Sequence, residues 1–349
     1  MASYKLIENN DGSITYHHQE KFFLDSGEYL DEFHITYEAH GNPKKPIIIV
    51  NHALSSSFHI KSDAINSVQG WWEEKVGPGK CLDTDKYFII CIGNLGSYKN
   101  CSNPMSTNPK TGETYKLDFP HISVNDIAKS QIMLLKALDI TEIFAIIGNS
   151  MGAYISLTLA IHLEKKVNKL ISISSSYKAY PNTRAIHQIQ KEIITQDEHW
   201  NNGNYSREIK SMKIARKLGL IAYFSPAYIN ERFNEKNSFE SYLEYNSLKF
   251  CSYFDANTYI KNLETMDTFN IDRYFPSTAE AFKRIFASCL IISVNSDVLI
   301  NPSQQREMYE TMKLHGVKVK LSMLESKLGH DAFYKDIEIE KSVRYHLSN

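Results

Sequence analysis

The sequence predicts an α/β fold, a mostly parallel central sheet with helices on both faces and a helical cap inserted between two core strands. Three observations carry this. Short β-branched or aromatic runs alternate with helical periodicity. The alternation stops between about Tyr177 and Phe282, where Tyr, Asn and charge dominate and helices with loops are expected. A Gly-x-Ser-x-Gly turn stands where one apolar run passes into a helix.

The chain has 349 residues, enough for two domains or one large α/β unit. Lys and Arg total 39 against 40 Asp and Glu, and 42% of residues are hydrophobic, which excludes disorder as the main theme. A net charge of −1 with no dense basic block gives no electrostatic reason to expect nucleic acid or an anionic membrane as partner. The five cysteines, Cys81, Cys91, Cys101, Cys251 and Cys289, are odd in number and too widely spaced for a metal clip, so reduced thiols are expected. The N-terminal residues lack an apolar stretch before their first acids, so no secretory signal is expected and a cytoplasmic location is the default.

Strands are predicted over Phe33–Tyr37, Pro46–Val50, Tyr87–Ile92, Ile143–Ile147, Leu170–Ser174, Leu290–Val294 and Val317–Leu321. The clearest helix starts at Ser123-Val124-Asn125-Asp126, a capping-box pattern, and carries Ile127, Leu134, Leu135 and Leu138 on one side. Residues 143–163 lack charge, but Gly148, Asn149, Ser150 and Gly152 interrupt them, and strand-turn-helix fits better than a membrane span. Gly70 to Pro120 is rich in Gly and Pro and is expected to form a functional wall of loops. The expected division is a core of residues 1–176 and 283–349 with a cap of residues 177–282. No repeat or low-complexity tract points to a solenoid or propeller.

Gly148-Asn149-Ser150-Met151-Gly152 predicts a nucleophilic serine on a sharp strand-to-helix turn, where small neighbours permit close backbone approach and the helix N-terminus favours negative charge. A serine needs a base, and the α/β-hydrolase order is Ser, acid, His. Asn295-Ser296-Asp297 follows one late strand and Gly329-His330-Asp331 follows the next, so Ser150, Asp297 and His330 fill that order at strand ends, where open α/β sheets build sites. The plainer readings are an N-cap for Asp297 ahead of Pro302-Ser303-Gln304 and a solvent-exposed loop for His330, one of 13 histidines. His52 in Asn51-His52-Ala53-Leu54 is expected to shape an oxyanion turn, with the N–H groups of Leu54 and Met151 as donors. His17, His18, His121, His162, His187 and His199 show no metal-ligand spacing and are assigned no chemistry, and no metal is expected.

The flanking residues carry a family resemblance. His52-Ala53-Leu54, Gly70-Trp71-Trp72, Gly77-Pro78-Gly79-Lys80, Asp83-Thr84-Asp85, Asn94-Leu95-Gly96, Asn108-Pro109-Lys110-Thr111-Gly112, Asp118-Phe119-Pro120, the Ser150 turn, Asp255-Ala256-Asn257 with Tyr259, and Gly329-His330-Asp331-Ala332-Phe333 together resemble the homoserine O-acetyltransferases and related O-acyltransferases. The resemblance implies a helical cap, a homodimer, and transfer of an acyl group from acetyl-CoA or succinyl-CoA, a co-substrate rather than a bound cofactor, through an acyl-serine to an amino-acid hydroxyl, homoserine or serine-like. It also implies that Lys191 replaces a carboxylate-binding Arg, without the bidentate fork, and that Asp331 lies near the acceptor's ammonium. Asn149, Ala153, Tyr154 and Ile155 replace Gly, Gly, Met and Gln at the turn, and Ser102-Asn103-Pro104 replaces Thr-Gly-Pro. Competing functions are a serine hydrolase or esterase with the same triad on an unidentified ester, and a non-catalytic binding protein on the same scaffold.

Overall fold

The computed structural model describes residues 3–206, 208–236 and 238–349. Its strands are β1 (Tyr4–Glu8), β2 (Ile14–His18), β3 (Phe22–Phe23), β4 (Tyr29–Leu30), β5 (Phe33–His40), β6 (Ile47–Asn51), β7 (Phe88–Ile92), β8 (Ile143–Asn149), β9 (Val167–Ile173), β10 (Ser288–Val294) and β11 (Val319–Leu324). Nine of them form one sheet in the order β1-β2-β5-β7-β6-β8-β9-β10-β11. From β7 to β11 every neighbour is parallel, while β1, β2 and β5 add an antiparallel edge.

Every predicted strand is present within a few residues. The sequence reading missed β1, β2 and the β3–β4 hairpin. β1 is exposed over Lys5–Glu8, including Leu6 and Ile7, so burial imprints no clean alternation on it. The central strands are near-continuous buried apolar runs, as covering helices on both faces require: Ile48, Ile49 and Val50 of β6 and Ala145, Ile146 and Ile147 of β8 are fully buried.

The first helix, α1 (Val124–Ala137), has the full capping box, with Ser123 Oγ accepting from Asp126 N–H and the Asp126 carboxylate accepting from Ser123 N–H. Such a cap is worth about 1 kcal/mol. The uncharged stretch 143–163 is β8, a turn and α2 (Met151–Leu163). Nearly all of α2 is buried, which is why it is apolar all round. Among the described residues, no helix is long and apolar enough to cross a membrane.

Between β9 and β10 lie α3 (Pro181–Thr195), α4 (Lys210–Tyr223), α5 (Pro226–Arg232), α6 (Ser238–Cys251), α7 (Ala256–Asp267) and α8 (Thr278–Lys283). α3 packs on α4 and α7, α4 packs on α6, and a Lys178–Asn270 bridge joins the base of the excursion. The Gly70–Pro120 segment is irregular apart from β7 and one short turn of helix. It is tied to α7 by Asn262 Nδ2–H donating to Gly96 O at 2.9 Å, and to the far end of the chain by Trp72 Nε1–H donating to Phe333 O at 3.0 Å. The last helices are α9 (Pro302–Leu314), α10 (Ala332–Lys335) and α11 (Ile337–Ser348). None of the five cysteines is paired.

Close approach fixes the turn between β8 and α2. A Cβ at Gly152 would sit 2.1 Å from Asn51 O, and one at Gly148 would sit 2.2 Å from Gly152 O, both rigid backbone atoms. Gly152→Ala is therefore expected to destabilise the fold by about 1–3 kcal/mol or more, read as a lower urea midpoint, whereas an unchanged midpoint would mean that β6 and α2 can separate at little cost.

Candidate active site

Ser150 lies between β8 and α2 with φ 52° and ψ −123°. A non-glycine residue holds such angles only where its surroundings over-determine them. Here Ser150 N–H donates to Ile173 O at 3.0 Å, while its carbonyl accepts from Ala153 N–H at 2.9 Å. The chain must reverse within one residue, which lifts the hydroxyl above the strand ends.

The turn after β10 supplies Asp297. One carboxylate oxygen accepts from Leu299 N–H and Ile300 N–H at 3.0 and 2.9 Å. The other lies 2.8 Å from His330 Nδ1. Asp297 is not the cap of α9, a role taken by Asn301, whose side chain accepts from Ser303 N–H. His330 stands in a short helical turn after β11, buried rather than solvent-exposed, and its Nε2 lies 2.9 Å from Ser150 Oγ. The fold thus brings the three sequence-predicted residues into one hydrogen-bonded chain.

With Asp297 on Nδ1, the geometry fits a ring whose Nε2 can take a proton from Oγ. Burial alone would lower the His330 pKa. The charge and hydrogen bond of Asp297, with a smaller contribution from Asp331, reverse that and leave it raised.

His52 is buried, with Nδ1 2.8 Å from Ala53 O, and burial pushes its pKa down to about 4. It stays neutral and braces the turn after β6. Leu54 lines the cavity over Ser150, and Met151 is the first residue of α2. Among the described residues, neither N–H donates to a protein acceptor. Two free N–H groups flanking a nucleophile can receive an oxyanion.

The cavity is lined by Ala53, Leu54 and Ser55 on the β6 side, by Tyr223, Asp331, Phe333 and Tyr334 on another, and by His187, Met266 and Leu299 on a third. Asp331 therefore lines the cavity. Burial pushes its carboxyl up to about 6, against the opposing pull of His330 and Arg216. Lys191 does not line this cavity. Its Nζ is 2.8 Å from Asp267 Oδ2, and His187, one helical turn earlier on α3, lines the wall instead. Lys191, expected from the resemblance to meet the acceptor's carboxylate, is thus paired with Asp267 outside this lining.

The cation that the sequence reading missed is Arg216 on α4. It is 7% exposed, donates to Tyr223 Oη at 3.1 Å, lies 4.2 Å over the Phe250 ring, and keeps a buried Nε–H without a partner among the described residues. The signal was available. Met212, Ala215, Gly219 and Leu220 mark the buried side of α4, and Arg216 is buried with them. An arginine on a buried face needs a reason.

The altered residues at the nucleophile turn also have places. Tyr154 stacks on Phe269 with centroids 4.3 Å apart, behind the cavity rather than in it. Asn149 is 1% exposed and neither atom of its amide has a partner.

A parallel sheet with a strained serine after one strand and its acid and histidine partners after two later strands defines the α/β-hydrolase class, and a family model described as the alpha/beta hydrolase fold matches residues 46–336. Within that class the chain is 35% identical to a homoserine O-acetyltransferase of Methanosalsum zhilinae, covering 91% of this chain and 69% of the relative. It is 34% identical to a serine O-succinyltransferase of Xanthomonas campestris pv. campestris, covering 89% and 90%. The fold superposes on a homoserine O-acetyltransferase of Bacillus anthracis with a TM-score of 0.89 and 25% identity over 100% of this chain and 99% of the other. It superposes on an esterase variant with a TM-score of 0.88 and 25% identity over 97% and 99%. The chain belongs to the homoserine O-acetyltransferase family of O-acyltransferases.

The raised His330 pKa sets a pH dependence. The neutral ring is the base, so acylation of Ser150 by a small activated ester is expected to fall as pH drops through a midpoint above 6.5. Asp331→Asn removes a charge that raises that pKa, so the midpoint should move down. A burst-rate profile that is flat between pH 5.5 and 8, or one that Asp331→Asn shifts upward, would contradict this assignment.

Proposed function

We propose that the chain is an O-acyltransferase that carries an acyl group from an acyl-CoA through an acyl-Ser150 intermediate to the side-chain hydroxyl of an amino acid, homoserine or serine-like. The observation that carries the reading is the hydrogen-bonded chain from Ser150 through His330 to Asp297, opening on a cavity lined by a carboxylate, Asp331, and by Tyr223, whose hydroxyl accepts from the buried guanidinium of Arg216 behind it. Residues 177–282 serve as the cap that supplies Tyr223 and Arg216. The same reading includes the homodimer and the cytoplasmic location expected from the sequence.

In the first half-reaction His330 Nε2 takes the Ser150 proton as Oγ attacks the thioester carbonyl. Leu54 N–H and Met151 N–H receive the oxyanion, and the C–S bond breaks as the proton passes to the departing thiolate. In the second, His330 takes the proton of the acceptor hydroxyl as that oxygen attacks the acyl carbon, the bond from the acyl carbon to Oγ breaks, and His330 returns the proton to Ser150 Oγ. Asp297 holds the ring.

The acceptor is a zwitterion in this reading. Asp331 takes its ammonium, and Arg216 with Tyr223 Oη takes its carboxylate, each contact strengthened by charge in a dry cavity. Lys191, tied to Asp267, has no part in it. Hydrolysis of the acyl-enzyme is the second reading, favoured by the likeness to the esterase fold.

Incubation with acetyl-CoA or succinyl-CoA and a panel of hydroxy amino acids, followed by mass analysis of products and protein, tests the proposal. Expected are an adduct on Ser150, its absence in Ser150→Ala, and parallel double-reciprocal lines. Release of free acid with every amino acid left unmodified would favour the hydrolase. Asp297→Asn is expected to lower kcat about 10³- to 10⁴-fold, and near-normal turnover would require another acid.

Arg216→Ala should raise the acceptor KM by about 10- to 100-fold, the loss of a charge-assisted hydrogen bond, with the donor KM changed far less. Lys191→Ala should leave the acceptor KM within a few fold. The reverse pattern would restore Lys191 as the acceptor's cation.

A further inference from the structure

The segment after β6 carries an N–H donor that its own strand does not fix. Met151 N–H follows Ser150 directly at the start of α2, so it moves with the nucleophile. Leu54 N–H sits on a separate segment, beyond the last β6–β8 pair, Asn51 with Gly148. There Ser56 N–H donates to Ala53 O at 3.1 Å and closes a turn around Leu54. The three residues after Leu54 are each met by an aromatic side chain from a different part of the chain. Tyr98 Oη donates to Ser55 O at 3.4 Å, Ser56 Oγ lies 2.8 Å from Tyr334 Oη, and Trp71 Nε1–H donates to Ser57 O at 2.8 Å.

Of these three aromatics, Tyr334 alone belongs to the segment that carries the base. It stands on α10, one helical turn beyond His330 and Asp331, and lines the cavity over Ser150. Among the described residues, its contact with Ser56 is the only hydrogen bond between the turn after β6 and residues 329–335. Burial and the charge of Asp331 push the phenol's pKa up, so it stays protonated. Trp71 stands edge-on to the Tyr334 ring with centroids 6.2 Å apart, and the Phe333 ring lies 4.3 Å from it, which restricts where the hydroxyl can point. Ser56 is buried beneath this contact.

We propose that Tyr334 is a positioning residue that, through Ser56, holds Leu54 N–H in register with Ser150 and His330 as the oxyanion forms; this rests on the oxyanion donors of the acyltransferase reading. A donor acts on the rate through its aim at the oxygen once charge has developed there, and a poorly held donor is lost mainly from the transition state. The ground-state carbonyl is neutral and gains little from the same N–H. Loss of the Tyr334–Ser56 contact therefore slows acylation and leaves substrate binding nearly unchanged. Tyr98 and Trp71 still hold the neighbouring carbonyls, so the turn stays in place but is no longer tied to the segment of His330.

The test uses p-nitrophenyl acetate, which needs neither a CoA-binding surface nor an acceptor, in a pre-steady-state burst assay of wild type, Tyr334→Phe, Ser56→Ala and the double variant. In Tyr334→Phe the burst rate constant at saturation should fall about 10- to 100-fold. The half-saturating ester concentration should stay within a few fold, and the pH midpoint set by His330 should not move. Ser56→Ala should show a similar fall, and the double variant no more than the deeper single one, because both remove the same contact. Trifluoroacetone gives a second reading: Oγ bonds to its carbonyl carbon, the proton passes to His330, and the ketone oxygen becomes a stable oxyanion. Its inhibition constant should rise by the factor by which the burst rate falls. A merely structural tyrosine would lower the urea midpoint and the burst amplitude while the rate constant held, and that result overturns the proposal. So does a change confined to half-saturation, a shifted pH midpoint, or additive effects in the double variant, each of which leaves the acyltransferase reading intact. No burst and no acetyl adduct on Ser150 in the wild type overturns the acyl-serine reading, and this proposal with it.

Discussion

Contact between the first turn of α2 and the ends of β6 and β8 is the constraint on which the rest of the site depends. Gly152 has backbone atoms of Asn51 within reach of its missing side chain, and Gly148 is in the same position against Gly152. Because these surfaces touch, the residue between them must reverse the chain in a single step, and Ser150 takes a left-handed φ to do so. Strain of this kind costs on the order of 1–3 kcal/mol and survives only when neighbours hold it. The hydrogen bond from Ser150 N–H to Ile173 O and the one from Asn51 Nδ2 to Ser156 Oγ at 3.0 Å tie the turn to β9 and α2 to β6. The placing of the hydroxyl in the cavity follows from packing that the sheet needs anyway.

The histidine turn depends on a second close approach, this time with the inserted helices. Gly329 has φ 73°, and a Cβ there would lie 2.6 Å from Ser225 N and 2.8 Å from Tyr223 O. Ser225 Oγ in turn donates to Lys327 O, and Gly329 N–H donates to Ser296 Oγ at 3.1 Å. The segment carrying His330 is therefore clamped between the Asp297 turn and the α4–α5 junction. Tyr223 belongs to that junction, so the Tyr223 side of the cavity and His330 are fixed to one another through backbone contacts. A displacement of α4 would carry a cost at His330 as well.

The parts legible in the sequence are those where one residue type answers one local demand. Gly148, Ser150 and Gly152 announce their turn because no other residues fit it. Ser123 and Asp126 announce the start of α1, and the uninterrupted apolar runs of β6, β8 and β10 announce strands covered on both faces. Ser150, Asp297 and His330 could be ordered along the chain, but only the fold brings Asp297 and His330, separated by all of α9 and β11, to 2.8 Å. What stayed hidden depends on partners distant in sequence. β1 and β2 are set by pairing at an exposed edge and carry little pattern of their own. Lys191 looked available as a cation because Asp267, which holds it, is 76 residues further on. Arg216 sits at the spacing of the buried face of α4, but its contacts with Tyr223 and Phe250 depend on α4 packing against α6.

In the proposed reaction, the charges around the cavity would let a hydroxyl held by an amino acid compete with water for an acyl-serine. Asp331 is adjacent to the base in sequence and buried enough that its carboxyl is pushed up to about 6. An isolated carboxylate in that position costs free energy that a nearby ammonium returns, and Arg216, with an unpartnered Nε–H, is in the mirror situation with respect to a carboxylate. Each group is incompletely satisfied alone, and a molecule carrying both charges satisfies both. Water can satisfy either group, but it cannot bridge them while presenting a third atom to Ser150. A zwitterion with a side-chain hydroxyl does all three, and the binding energy of its two charges then orients the attacking oxygen toward His330 Nε2. In the proposed reaction, selectivity for transfer over hydrolysis would follow from two buried charges that one ligand can satisfy together.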